Sequence, residues 1–290
     1  MLSILIPTYN YNVFPLVDNL FNQCEKEGIK YEIIVVDDGS QKQFDNDKIN
    51  SLKNCSFKVL KKNIGLSSIR NLLIKTSEYE WILLLDADVF PVNENYISEY
   101  IQAIKKNNYN YFSGGIQYKT DRPENDKILR WKYGKKREAL TFEQRKNGKS
   151  NYTNVNILLH KAVFNEVMFE EKVRFYGYED VIFSTKLLQY FSVFPVDNPV
   201  YHLDESTSEE FLNKSETALQ TLHFLIQNNL IQTDKVKIAK IYVLLKKWNL
   251  TFLIRFFYGL FRKPVKRNLL SSNPNLFLFD LYRLGYICSL

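Results

Sequence analysis

The sequence predicts an α/β fold: a mainly parallel central sheet flanked by helices, followed by a helical C-terminal region. Three observations point there. Short β-branched or leucine-rich runs alternate with helically spaced segments through the first third of the chain. Two of those runs end in aspartate pairs. From about Ser208 to the end, only helical periodicity remains.

Taken in order, "LSILIP" reads as a strand, and Phe14, Val17, Leu20 and Phe21 follow at helical spacing. "YEIIVVDDGS" is a second strand ended by a turn cluster, and "FKVLKK" a third. "GLSSIRNLLIKTS" is a helix, and "WILLLDAD" a fourth strand. A helix covers about Tyr96 to Lys106, and "YFSGGIQY" reads as one more strand. Lys119 to Ser150 is polar and basic with little periodicity, which predicts a mobile loop or loose helix. Order resumes at "NYTNVNILLHKAVFNEV". In parallel sheets ligands bind beyond the carboxyl ends of the strands. The pairs Asp37-Asp38 and Asp86/Asp88 would therefore line one rim with carboxylates.

Composition narrows the class. The 290 residues suit one large domain with an appendage, and 45% hydrophobic with 24% charged residues is a globular balance. Cys24, Cys55 and Cys288 lie far apart, which fits neither a disulfide framework nor a zinc site and favours a reducing compartment. "MLSILIPTYN" lacks a basic n-region, so it reads as a first strand rather than a secretory signal, and a cytoplasmic location is expected. The net charge of +7 is uneven: residues 231–290 hold 11 Lys+Arg against 2 Asp+Glu, while the rest hold 28 against 30. The positive charge belongs to the tail, beside apolar sequence, and does not indicate nucleic-acid binding.

Asp86 and Asp88 follow a five-residue apolar run. Two carboxylates at i and i+2 of an extended segment point the same way and repel unless a cation lies beside them; hard oxygen ligands suit Mg²⁺ or Mn²⁺. The alternative is a solvated turn.

"ILIPTYN", "EIIVVDDGS", "NIGLSSIRN" and "LLLDAD" together resemble, in order and rough spacing, family 2 glycosyltransferases of the GT-A (Rossmann-like) fold, over roughly Leu2 to Leu203. The resemblance implies inverting transfer from a nucleotide-sugar donor, with UDP-sugars foremost, the metal holding the diphosphate. The acceptor would be a saccharide or lipid-linked saccharide in surface polysaccharide or glycan synthesis. The catalytic domain would span 1–207, with a nucleotide-sugar half of about 1–110 and an acceptor half of about 111–207, and the helical extension 208–290.

Carried over by position, the resemblance puts Pro7, Thr8 and Tyr9 along the nucleoside and Asp38 or Asp37 on the base or ribose. Carboxylates at a strand end also suit those groups chemically, although "DDGS" alone would read as an Asx turn. Gly65 permits close backbone approach. Arg70 offers a cation to the nucleotide or to an aspartate, and a structural salt bridge is the competing reading. In "FYGYEDVIFSTKL" the resemblance makes Asp180 the catalytic base and gives Glu179 an acceptor hydroxyl; otherwise both acids are favourable first-turn charges. It also implies His202 as a third metal ligand beside Asp86 and Asp88, while His160 and His223 receive no role.

Two other readings compete. A nucleotidyltransferase would need a Gly-rich basic loop after the first strand, which "PTYNYNVF" does not provide. A non-catalytic nucleotide-sugar-binding protein would have no use for both acid pairs. In the tail, Trp248 to Phe261 is too short to span a bilayer and contains Arg255. It reads as a basic amphipathic segment lying on an anionic inner membrane face, or as a hairpin packed on the domain or in a homodimer.

Overall fold

The computed structural model describes residues 1–150, 153–173 and 176–290. Asn151, Tyr152 and Phe175, which open two of the segments quoted above, lie outside the described residues.

The chain begins β1 (Leu2–Thr8), α1 (Phe14–Glu27), β2 (Tyr31–Asp37), β3 (Cys55–Val59), α2 (Leu66–Thr76) and β4 (Trp81–Leu85). It continues β5 (Val89–Pro91), α3 (Tyr96–Lys106), β6 (Tyr111–Ser113), β7 (Ile116–Gln117), α4 (Ile128–Tyr133), α5 (Phe142–Lys146) and β8 (Asn156–His160). It ends α6 (Glu179–Tyr190), β9 (Phe194–Pro195), β10 (Val200–His202), α7 (Ser208–Gln227), α8 (Lys237–Lys247), α9 (Thr251–Leu269) and α10 (Leu276–Ile287).

The main sheet has seven strands in the order β3-β2-β1-β4-β8-β6-β9, and a smaller sheet has the order β5-β10-β7. β1 through β4 run parallel, as expected. β8 runs antiparallel to both β4 and β6, so the sheet is mixed on that side. β1 is central: Leu2 pairs with Tyr31 on one side and Trp81 on the other, and all seven of its residues are buried. A strand covered on both faces needs a near-continuous apolar run rather than alternation, which "LSILIP" supplies apart from Ser3, whose hydroxyl donates to Glu32 Oε1 at 2.6 Å. β3 is the edge strand. It is half exposed and carries Lys58, a charge that discourages pairing with another chain. It occupies Cys55–Val59 rather than "FKVLKK", because pairing with β2 begins at Ile33 opposite Cys55.

Two expectations need correction. "YFSGGIQY" is not one strand: Gly114 and Gly115 break it, sending β6 to the large sheet and β7 to the small one. Gly115 has φ 83°, and a Cβ on Gly114 would collide with Tyr100 Oη, the Asn198 carbonyl and Asn156 Nδ2. The crossing is held by buried polar groups. Asn156 Oδ1 accepts from Tyr96 and Tyr100 (both 2.6 Å), and its Nδ2 donates to the Gly115 and Asn198 carbonyls (both 2.9 Å). The Arg145 guanidinium donates to the carbonyls of Ser113, Gly114 and Val196.

The stretch 119–150, expected as a mobile loop or loose helix, contains α4, a continuing helical turn over Gly134–Glu138, and α5. Thr141 and Gln144 cap α5 reciprocally, a device that short polar sequence hides from periodicity.

The chain divides into two units: Met1–Tyr118 with Ala139–Arg174 and Lys186–Asp204, and Lys119–Glu138 with Phe175–Thr185 and Glu205–Leu290. The expected boundary at 207/208 therefore lies at 204/205, just before the Thr207 capping box that starts α7. In this division 119–138 and 176–185, which the sequence reading puts in the acceptor half, group with the C-terminal helices. The first unit has its core between the sheet and α1 and α3, with Ile4, Ile6, Val17, Leu20, Leu83 and Tyr100 among its residues. The second unit has two clusters, one around Leu129, Phe211, Leu269 and Phe279, the other around Leu219, Leu222, Ala239 and Ile287.

Gly114→Ala should lower the unfolding free energy by about 1–3 kcal/mol, the usual cost of overpacking. Urea denaturation measures it, and an unchanged midpoint would show that the crossing is not tight.

Candidate functional site

The rim expected at the carboxyl ends of β1, β2 and β4 is present, and each of its acids has a different partner. Asp37 closes β2 opposite Thr8, the last residue of β1. Its Oδ1 accepts the Ser40 N–H, three residues on, at 2.7 Å, so this carboxylate closes the turn that "DDGS" makes. Asp38 accepts the N–H groups of Ile64 (2.7 Å) and Gly65 (3.0 Å) with its two oxygens. Burial pushes its carboxyl above the usual range; those two N–H groups oppose the rise and neighbouring Asp37 adds to it. Asp38 thus fixes the loop that enters α2, with Gly65 at the N-cap and φ 88°.

Arg70, one turn into α2, is almost wholly buried. It donates from Nη2 to Asp86 Oδ1 at 2.7 Å and lies over the Phe169 ring. The salt-bridge reading of Arg70 is the one the geometry carries, and its partner is the first aspartate of the DxD.

β4 stops at Leu85, and Asp86-Ala87-Asp88 is a tight turn into β5. The alternation expected of an extended segment does not hold there, so the two carboxylates do not share a partner. Asp88 instead meets His202. β10 runs antiparallel to β5 with His202 opposite Val89, and the Leu203 N–H donates to the Asp88 carbonyl at 2.7 Å. Asp88 Oδ2 lies 3.9 Å from His202 Nε2. That is too long for a hydrogen bond. Two donors each about 2.1 Å from one octahedral cation lie about 3.0 Å apart when cis and about 4.2 Å when trans, so the pair falls within the span of two ligands of one Mg²⁺ or Mn²⁺ but would have to shift to occupy either arrangement.

No three His, Cys, Asp or Glu side chains form a cluster suited to a metal among the described residues. A cation here would complete its shell from phosphate and water, the usual habit of Mg²⁺. Asp86, pinned by Arg70, is the member of the expected triad that stands apart. One feature of the pair is incomplete: His202 Nδ1 is buried without a hydrogen-bond partner, whereas a ligating histidine usually donates from its second nitrogen.

Of the remaining nucleoside candidates, Pro7 is buried, Tyr9 is about half exposed, and Thr8 Oγ1 is buried with no partner among the described residues. Sequence reasoning missed two neighbours. Asn10, at φ 51°, accepts from the Gln41 and Lys42 N–H groups and donates its own N–H to Ser40 Oγ, tying the loops after β1 and β2 together. Ser67, in the first turn of α2, has a buried and unpartnered hydroxyl. Asn in a turn after a strand is a signal for positive φ that could have identified Asn10.

In the second unit, Glu179 and Asp180 open α6. Gly177 has φ 109° and Tyr178 has φ 68°, a conformation that costs a bulky residue about 1–3 kcal/mol and persists only where the surroundings impose it. They do so here. The Gly177 N–H donates to Glu179 Oε2 (2.9 Å), and Thr221 Oγ1 of α7 donates to the Tyr176 carbonyl (2.9 Å). Arg283 Nη2 of α10 donates to Tyr178 Oη (3.3 Å), and burial raises the Tyr178 phenol above its ordinary pKa against the pull of Arg283. A Cβ on Gly177 would strike Ala218 of α7. Glu179 therefore serves the turn, and Asp180 is the half-buried acid that follows it. No periodic or motif signal in the sequence marks Arg283.

The family described as Glycosyl transferase family 2 matches residues 3–168. A chondroitin synthase of Escherichia coli is 34% identical over 108 residues, which are 36% of this chain and 15% of that protein. The chain therefore matches only a small part of that relative's length. Among solved structures, the mannosyltransferase PcManGT from Pyrobaculum calidifontis, in complex with GDP-Man and Mn²⁺, matches with a TM-score of 0.50 at 13% identity, over 78% of this chain and 64% of that one. S. aureus TarS 1–349 in complex with UDP-GlcNAc gives 0.49 at 20% identity, over 76% and 66%. At such identity the mannosyltransferase supports the fold alone, a GT-A sheet with the helices added at the C-terminus.

The two aspartates should separate in stability. Asp86→Leu removes the carboxylate that the buried Arg70 guanidinium bonds at 2.7 Å and should cost roughly 2–4 kcal/mol, whereas Asp88→Leu should stay within about 1 kcal/mol. Equal losses in chemical denaturation would contradict the division of labour.

Proposed function

The chain belongs to glycosyl transferase family 2, and on that premise we propose that it transfers a sugar, with inversion, from a UDP-sugar to a saccharide or lipid-linked saccharide acceptor. The 34% identity to a chondroitin synthase supports polysaccharide synthesis as the setting. The observation that carries the reading is the rim: Asp37, Asp38 and Asp86 are bound by the protein, while Asp88 stands 3.9 Å from His202.

In this reading the nucleoside lies along Pro7–Tyr9. The unpartnered Thr8 hydroxyl accepts from or donates to base and ribose, and the remaining lone pairs of Asp37 and Asp38 accept from them. Asp86, oriented by Arg70, faces the ribose and diphosphate. Asp88 and His202 would hold Mn²⁺ or Mg²⁺, which supplies the positive charge that stabilises the departing diphosphate. Asp180 accepts the proton of the acceptor hydroxyl as that oxygen attacks the anomeric carbon opposite the diphosphate. The new C–O bond forms as the bond to diphosphate breaks. Tyr178, clamped by Arg283, sets the direction of the turn that presents Asp180.

A hydrolysis screen of UDP-, GDP- and dTDP-sugars identifies the donor, with UDP-sugars expected to turn over. Asp180→Asn should then lower turnover by at least ~100-fold, with donor binding within about threefold of the parent. Near-normal turnover of Asp180→Asn would place the base elsewhere. A GDP-sugar as the only donor would overturn the UDP assignment.

Arg283→Leu should lower kcat more than it raises the donor KM, because it acts on the turn and not on the nucleotide. The reverse pattern would remove Arg283 from a positioning role.

A further inference from the structure

From Lys235 to Phe279 the sequence contains ten Lys or Arg residues and no Asp or Glu. α8 and α9 lie wholly within that stretch. In α9, Phe252, Leu253, Phe256, Phe257, Leu260 and Phe261 are 41–69% exposed. Their spacing of i, i+1, i+4, i+5, i+8 and i+9 puts them on one half of the helix. Trp248, just before α9, is 62% exposed and extends the patch. The other side of α9 is already occupied: Tyr258 and Val265 pack in the cluster of Phe211 and Phe279, Ile254 packs in that of Leu222 and Ile287, and Gly285 lets α10 approach the Tyr258 ring. The exposed apolar half is therefore not a misplaced core face.

Cations frame it. Lys246, Lys247, Arg255, Lys263 and Arg267 are all exposed, and no carboxylate lies within 4.0 Å of them among the described residues. Two occupants are consistent with exposed aromatic residues, a second copy of this chain or a lipid surface. A two-fold interface would place this acid-free stretch against its own like charges. An anionic bilayer complements it, accepting the rings at the level of the headgroups and the cations at the phosphates. Among the described residues no helix is long and apolar enough to cross a membrane.

We propose that the exposed face of α9, with Trp248 and the end of α8, docks this protein flat on an anionic lipid bilayer. The Phe and Leu side chains enter the interface, and Lys246, Lys247, Arg255, Lys263 and Arg267 engage lipid phosphates. This rests on α8 and α9 alone and stands whatever sugar is transferred. Deleting the tail would not test it, because the same deletion removes Arg283 and the packing of α10 on α7.

The test uses the full chain in cosedimentation with vesicles of phosphatidylcholine alone and with one-third phosphatidylglycerol, at low and high salt. The expected result is binding to the anionic vesicles, at least about tenfold weaker on neutral ones, and weakened by salt. Phe256→Ser/Leu260→Ser and Lys263→Glu/Arg267→Glu should each reduce binding about tenfold or more while melting as the parent does, since all four side chains are exposed. The charge pair decides the matter if the apolar pair fails to fold. No binding to anionic vesicles at low salt, or parent-like binding by the folded variants, would overturn the proposal. So would a lipid-free dimer in sedimentation velocity that Phe256→Ser/Leu260→Ser dissociates.

Discussion

The arrangement turns on the buried ion pair between Arg70 and Asp86. A mainly parallel sheet delivers its loops to one edge, and this chain loads that edge with acids that burial would otherwise oppose. The protein answers each with a separate donor: the Ser40 N–H for Asp37, the Ile64 and Gly65 N–H groups for Asp38, and a guanidinium for Asp86. Because Arg70 comes from α2 and Asp86 from the end of β4, the pair also fixes the helix against the strand. What remains is Asp88, whose carboxylate makes no hydrogen bond among the described residues and has only His202 near it. Three of the four acids are thus satisfied by the protein itself, and Asp88 is the one for which no hydrogen bond is made among the described residues.

The small sheet is the second requirement. His202 reaches Asp88 only because β10 pairs with β5, and β10 is placed by β7 on its other side. β7 in turn exists because Gly114 and Gly115 end β6 and redirect the chain. The Asn156 network locks that crossing, so two glycines and an asparagine far along the sequence determine whether the histidine and the aspartate meet.

Much of this was legible in the sequence, for a physical reason. Buried parallel strands need continuous apolar runs, and β1, β2 and β4 announce themselves by them; a helix at Tyr96–Lys106 follows from its spacing. Asp86 and Asp88 stand out by residue type and position at a strand end, whereas Thr8, Asp38, Arg70 and His202 are named through the family resemblance. What could not be read was pairing. Alternation along an extended segment ends at Leu85, and the turn that follows gives the two aspartates of the DxD different neighbours, Arg70 and His202. Segment 119–138 looked loose because α4 is stabilised by packing with Phe211 and Phe279, residues some eighty positions or more away. The hold of Arg283 on the strained Tyr178 is likewise a long-range contact with no local signature.

Titrating Mn²⁺ by electron paramagnetic resonance, with UDP present, addresses the central claim most directly. The account predicts saturable Mn²⁺ binding to the parent chain that Asp88→Ala abolishes, while Asp45→Asn, which removes an exposed acid paired with Lys48, leaves it within about threefold. Parent-like binding by Asp88→Ala would contradict the assignment of Asp88 as the acid the protein leaves for the cation.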